Sequence, residues 1–142
     1  MTDSIFSKII RGEIPAQKLY EDDAVIAILD INPLSEGHCL VIPKEPAETM
    51  GELSDDAAAG IGRVLPRLCR ALRRVTGCPG INVLQNDGAD AGQEVMHVHV
   101  HLIPRFPDRD AASGGGLTKF WKPTKGDPEA MAELGRQIAR LV

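Results

Sequence analysis

The chain has 142 residues, enough for one domain with its own core and too few for two ordinary ones. Its content of 43% hydrophobic and 25% charged residues is a globular balance that excludes a disordered chain. A formal net charge of −4 and an aromatic content of 4% leave neither the basic footprint of a duplex binder nor a base-stacking platform, so no nucleic-acid partner is expected, although a local pocket for one phosphate is compatible with both.

Ser4 to Arg11 reads as a short helix, capped by Asp3 or Ser4, apolar at Ile5, Phe6, Ile9 and Ile10, and stopped by Gly12 and Pro15. Its segment MTDSIFSKIIRGEIP lacks a basic start followed by a long apolar stretch, so no secretion signal is expected. Lys18 to Glu21 and Ala24 to Leu29 read as two strands around the turn Asp22-Asp23, and Asp30-Ile31-Asn32-Pro33 leaves the second through turn chemistry. Gly37 to Pro43 is a third strand, with His38, Leu40 and Ile42 on one face and Cys39 and Val41 on the other.

Ser54 starts the longest helix, which ends at Gly77 and Pro79; Ala57, Ile61, Val64, Leu65, Leu68, Leu72 and Val75 form its apolar stripe, and Pro66 is expected to kink it. That stripe is long for one small sheet, so part of it is expected to face a partner. Ile81 to Gln85 is a fourth strand. Asn86 to Gly92 is a glycine- and Asx-rich loop, and Glu94 or Val95 to Pro104 is a fifth strand. Pro107 to Lys125 reads as a loop, with Gly114-Gly115-Gly116 and an apolar anchor at Trp121, before a last helix capped by Asp127-Pro128 with Met131, Leu134, Ile138 and Leu141 on one side. Short connections in this order predict an α+β protein: an antiparallel sheet of about five strands with helices on one side. Cys39, Cys69 and Cys78 include no CxxC pair and do not make a disulfide scaffold. No apolar run approaches the ~18 residues of a membrane span. A cytoplasmic protein without a membrane partner is the resulting expectation.

The informative segment is HVHVHLI, beginning at His97. Strand periodicity puts His97, His99 and His101 on one face and Val98, Val100 and Leu102 on the other, in a register that the apolar face pins. Three readings compete. As structural histidines, the rings would need three separate hydrogen-bond solutions. As a metal site, two of them could chelate zinc, but the first and third lie about 13 Å apart on a strand and the cysteines have no ligand spacing. As catalysts, one imidazole attacks while its neighbours set the tautomer, bind phosphate and help the leaving group. The preceding loop favours the last: Gly88 and Gly92 allow a tight turn whose N–H groups can face an anion, and Gln93 adds an amide donor. A plain turn explains the same glycines.

HVHVHLI, with SIFSKIIRGEIPA, ILDINPLSEGHCLVIPK and NDGADAGQEVMH before it in order, resembles the histidine triad nucleotide-binding (HIT) family, and most closely its Hint-like branch with small bacterial members. The resemblance implies a single-domain HIT fold over residues 4–105, with residues 106–142 as a C-terminal loop and helix packed on the same domain. It implies a hydrolase that uses no cofactor and cleaves at the α-phosphorus of nucleoside monophosphate derivatives, such as phosphoramidates and adenylated small molecules. His99 matches the nucleophile that forms a nucleotidyl-histidine intermediate; His101 matches the contact to phosphate and leaving group, and His97 and His38 the supporting pair. Asp30 matches the ribose-binding carboxylate, and Ile5, Phe6, Ile9, Leu29 and Ile31 the apolar slot for a purine. Asn86, Gly92, Gln93, Glu94 and Val95 match positions around sugar and phosphate. Purine nucleotides such as AMP or GMP and a second copy of the chain are the implied partners. A dinucleoside polyphosphate hydrolase, or a nucleotide-binding partner protein with little turnover, would present the same residues.

Two departures from the family pattern stand out. Many bacterial relatives hold a structural zinc ion with CxxC at the first helix and a histidine after IPK; here those positions are Ser4, Ser7 and Pro46, so no metal is expected. Glu94 stands where better-studied relatives have Ser or Thr near the phosphate.

Overall fold

The protein is described by a computed structural model covering residues 3–107, 117 and 123–142. The Pro107–Lys125 reading, with its glycine run and Trp121, falls almost wholly outside those residues. Helix α1 (Ile5–Ile10) begins at Ser4, whose side chain accepts the N–H of Ser7. Strands β1 (Lys18–Glu21), β2 (Val25–Leu29) and β3 (Cys39–Pro43) follow, then helix α2 (Asp55–Thr76), β4 (Gly80–Leu84), β5 (Val100–Arg105) and helix α3 (Pro128–Ala139). The strands form one sheet in the order β1-β2-β3-β5-β4, with every neighbouring pair antiparallel.

The sheet is covered on both faces, which corrects the expectation of helices on one side. Val25 and Ala27 of β2 join Cys39, Val41, Val100 and Leu102 against Ile61, Val64, Leu68 and Leu72 of α2. The alternate residues Ile26 and Ile28 join Leu40 and Ile42 against Phe6 and Ile9 of α1. A strand buried on both faces reads as an unbroken apolar run, and VIAIL and CLVIP are such runs.

Helix α2 has the caps its sequence requires: Ser54 accepts the N–H of Ala57, Asp55 and Asp56 occupy the first turn, and Gly77 ends the helix with φ +73°. The helix runs through Pro66 as one element. Gly60 lets it approach the sheet closely, since a Cβ there would stand 2.7 Å from that of Ala24. Its buried stripe is used on its own sheet, so the stripe's length is no sign of a partner. On α3, Met131, Leu134 and Ile138 are each more than half exposed. Among the described residues no helix is long and apolar enough to cross a membrane.

Candidate active site

The face bearing α1 carries the site. Register places Leu40 of β3 opposite His101 of β5, and Leu40 packs with α1, so His101 emerges on that face. The regular ladder starts only at Val100, later than the predicted strand. His97 and His99 precede it, because the Val98 N–H goes to the Ala47 carbonyl of a loop instead of a neighbouring strand.

The histidines form two linked sets. His99 Nδ1 lies 2.7 Å from the His97 carbonyl oxygen. A carbonyl only accepts, so Nδ1 carries the proton and Nε2 of the neutral ring holds a lone pair. Among the described residues Nε2 has no hydrogen-bond partner, and no unpartnered side-chain nitrogen is sealed from solvent, so this lone pair opens outward. Phe6 and His101 fix the ring edge-on, with centroids at 4.9 and 5.0 Å.

In the second set the N–H of Leu34 donates to His38 Nδ1 at 3.0 Å, which leaves the proton of a neutral His38 on Nε2. That Nε2–H faces His101 Nδ1 at 2.9 Å, so His101 in turn carries its proton on Nε2. Burial is the main cause holding His38 and His101 below the usual imidazole range, and for His101, where neighbouring His99 and His38 add to it, the value is pushed down to about 4. His101 is therefore neutral at neutral pH, with one donor to offer.

Asp30, His38 and His101 bring three potential metal-ligating atoms within 4.8 Å. The hydrogen bonds oppose that use. A metal would need the His38 Nε2 lone pair, which requires a proton on Nδ1, where the Leu34 N–H already points. Ser4 Oγ and Ser7 Oγ stand 3.0 and 3.5 Å from His97 Nδ1. Two neutral hydroxyls and a proline at Pro46 do not make the thiolate-and-imidazole donor set that zinc prefers.

A cavity of about 450 Å³ opens beside His99 and His101. Ile5, Phe6 and Ile9 line it from α1, Leu29, Asp30 and Ile31 from the end of β2, and Asn86, Gly92, Glu94 and Val95 from the loop before the histidines. Ile14, Pro15, Ala16, Ile28, Asn32, Leu34 and Leu40 also line it and were not singled out from sequence. Asp30 Oδ1 accepts the Asn32 N–H, an Asx turn, while Oδ2 lies 3.6 Å from His38 Nε2. Gly88 and Gly92 take φ +97° and +94°, as the tight loop requires.

Two predicted residues stand elsewhere. His97 is 1% exposed and does not line this cavity; it borders a second one of about 300 Å³ with Ser7, Lys44 and Pro46. Gln93 is buried as a brace for the loop: its amide donates to the carbonyls of Glu48 and Val95, and its oxygen accepts the Gly88 N–H. The Gln93 amide is thus not the anion donor expected. The N–H groups of Glu94 and Val95 have no acceptor among the described residues. The signal for Gln93 was absent because a loop's internal bonding depends on the main-chain path, not on composition.

An apolar cleft with a bare imidazole nitrogen at its polar end is the layout of a small-molecule site with a nucleophile. The HIT domain model matches residues 11–108, and the chain belongs to the HIT family. It is 43% identical over 138 residues to an adenosine 5'-monophosphoramidase of Schizosaccharomyces pombe, covering 97% of each chain. It is 48% identical over 103 residues to an adenylylsulfatase of Arabidopsis thaliana, covering 72% of this chain and 52% of that one. The crystal structure of a HIT family member from Bacillus subtilis superposes with a TM-score of 0.88 at 38% identity, covering 99% of this chain and 98% of that one.

Proposed function

We propose that this protein binds purine nucleotides such as AMP or GMP and hydrolyses the bond to the α-phosphorus of their phosphoramidates and other adenylated small molecules. The carrying observation is the protonation pattern: His99 Nδ1 is committed to the His97 carbonyl, leaving Nε2 as a nucleophile at the cavity. The names of the phosphoramidase and adenylylsulfatase relatives support the same bond class.

In this reading the base lies in the apolar slot between α1 and the end of β2, and Asp30 Oδ2 accepts from the ribose hydroxyls. The free N–H groups of Glu94 and Val95 donate to phosphate oxygens. His99 Nε2 attacks phosphorus, forming an N–P bond as the bond to the leaving group breaks. His101 Nε2–H donates a hydrogen bond to the departing atom, which completes its protonation from solvent. Water then attacks phosphorus, giving its proton to solvent as the N–P bond breaks, and neutral His99 and the nucleotide are released. Incubation with an AMP-linked amine tests this: the amine and AMP should appear together. No release from phosphoramidates or adenylyl esters would overturn it. Release from dinucleoside polyphosphates alone would favour the polyphosphate-hydrolase reading.

The proposal includes a homodimer, supported by the exposed apolar side of α3 and by Ile31, which is 84% exposed at the cavity mouth. Light scattering across a dilution series should give twice the monomer mass; a stable monomer at micromolar concentration would contradict it.

A further inference from the structure

His97 lines no part of the main cavity, yet both of its ring nitrogens are engaged. Nε2 lies 3.0 Å from the Pro43 carbonyl at the end of β3, and Nδ1 lies 3.0 Å from Ser4 Oγ. The carbonyl can only accept, so Nε2 is the donor. Burial holds the ring below the usual imidazole range, so it is neutral near pH 7 and its Nδ1 is a lone pair. Ser4 Oγ accepts the Ser7 N–H at 3.0 Å, and its own proton has two acceptors in reach, His97 Nδ1 at 3.0 Å and Ser7 Oγ at 3.2 Å. The Ser7 hydroxyl stands farther from Nδ1, at 3.5 Å, so the Ser4 proton goes to the ring and the Ser7 O–H to Ser4 Oγ. The bonds therefore run in one direction: Ser7 N–H to Ser4 Oγ, Ser4 O–H to His97 Nδ1, His97 Nε2–H to the Pro43 oxygen.

The main chain of the same His97 accepts the proton of the His99 ring. This stretch precedes β5 and has no ladder to hold it; its N–H bonds are those of His97 to Val95 and of Val98 to Ala47. The His97 ring is thus a principal fastening of the carbonyl that sets His99. Phe6, two residues beyond Ser4, packs edge-on against both rings.

We propose that Ser4 is a positioning residue for the His99 nucleophile, acting through His97: its hydroxyl proton holds that ring in the tautomer that ties the histidine segment to β3. The role of His99 in it rests on the function proposed above. The competing explanation makes Ser4 a helix cap and nothing more.

Three substitutions separate the two. Ser4→Thr keeps both the cap and the proton. Ser4→Asp keeps a good cap but presents His97 Nδ1 with an acceptor, and its carboxylate also takes the Ser7 O–H, so the one proton of the buried ring is drawn from Nε2 to Nδ1. Ser4→Ala loses both. Ring tautomers are read from nitrogen-15 NMR of the ligand-free protein, and kcat from release of nucleotide. Wild type and Ser4→Thr should show His97 protonated at Nε2 alone. Ser4→Asp should show His97 protonated at Nδ1 and not at Nε2, so that the bond to the Pro43 carbonyl is lost, and should lose about tenfold in kcat, with nucleotide affinity kept within about threefold. A Ser4→Asp variant with the wild-type tautomer and rate, Ser4→Ala alone being impaired, would leave only the cap and overturn the proposal. So would Nδ1 protonation in the wild type, which requires no variant to fold. If the wild type hydrolyses nothing, the proposed function fails by itself, while the substrate-free spectra still decide whether Ser4 sets the tautomer.

Discussion

His99 is held by its own neighbour: its Nδ1 donates at 2.7 Å to the carbonyl of His97, two residues earlier. This bond fixes the ring's tautomer and aims Nε2 at the cavity. Removing the ring while leaving the slot should separate chemistry from binding. His99→Gly is expected to lose at least ~10³-fold in turnover and still bind AMP measurably by calorimetry. Wild-type-like rates in that variant would end the covalent mechanism.

Glu94 poses the opposite problem, a carboxylate at a cavity proposed to hold a phosphate. The residue is exposed, and its N–H is free among the described residues, so the main chain suffices for binding. Glu94→Ala and Glu94→Gln should each keep activity within about tenfold. The alternative is a general base on the water of the second step. Pre-steady-state kinetics distinguish them: a Glu94→Gln enzyme that accumulates the covalent intermediate and hydrolyses it ~100-fold more slowly would make Glu94 catalytic.

The histidines also set a pH dependence of stability. Burial lowers the folded-state values of His38, His97 and His101, the last to about 4. Below the ordinary imidazole value the unfolded chain takes up protons that the folded chain refuses. Stability from these groups is therefore present above about pH 6.5 and falls as pH drops from there toward 4. Thermal melts should show Tm decreasing through that window. Replacing His101 by Asn should flatten the slope; an unchanged slope would mean that His101 is not held neutral.

Much of this arrangement was legible in the sequence. The alternation in HVHVHLI assigned the apolar residues to the core, and the caps at Ser4, Ser54 and Asp127 marked the helix starts where they occur. What escaped reading depends on pairings far apart in the chain. The unbroken runs of β2 and β3 record burial on both faces, but only the packed α1 shows what covers the second face. Nothing local to Leu34 indicates that its N–H sets the tautomer of His38. Ser4 announces a cap and gives no sign of its bond to a ring 93 positions later.

The central claim is that two displacements occur at one phosphorus, the first by His99 and the second by water. It is tested most directly by the stereochemical course on a substrate made chiral at the α-phosphorus. Each in-line displacement inverts the configuration, so attack by His99 followed by water predicts overall retention. Overall inversion would mean that water attacks the substrate directly, and would contradict the nucleotidyl-His99 intermediate.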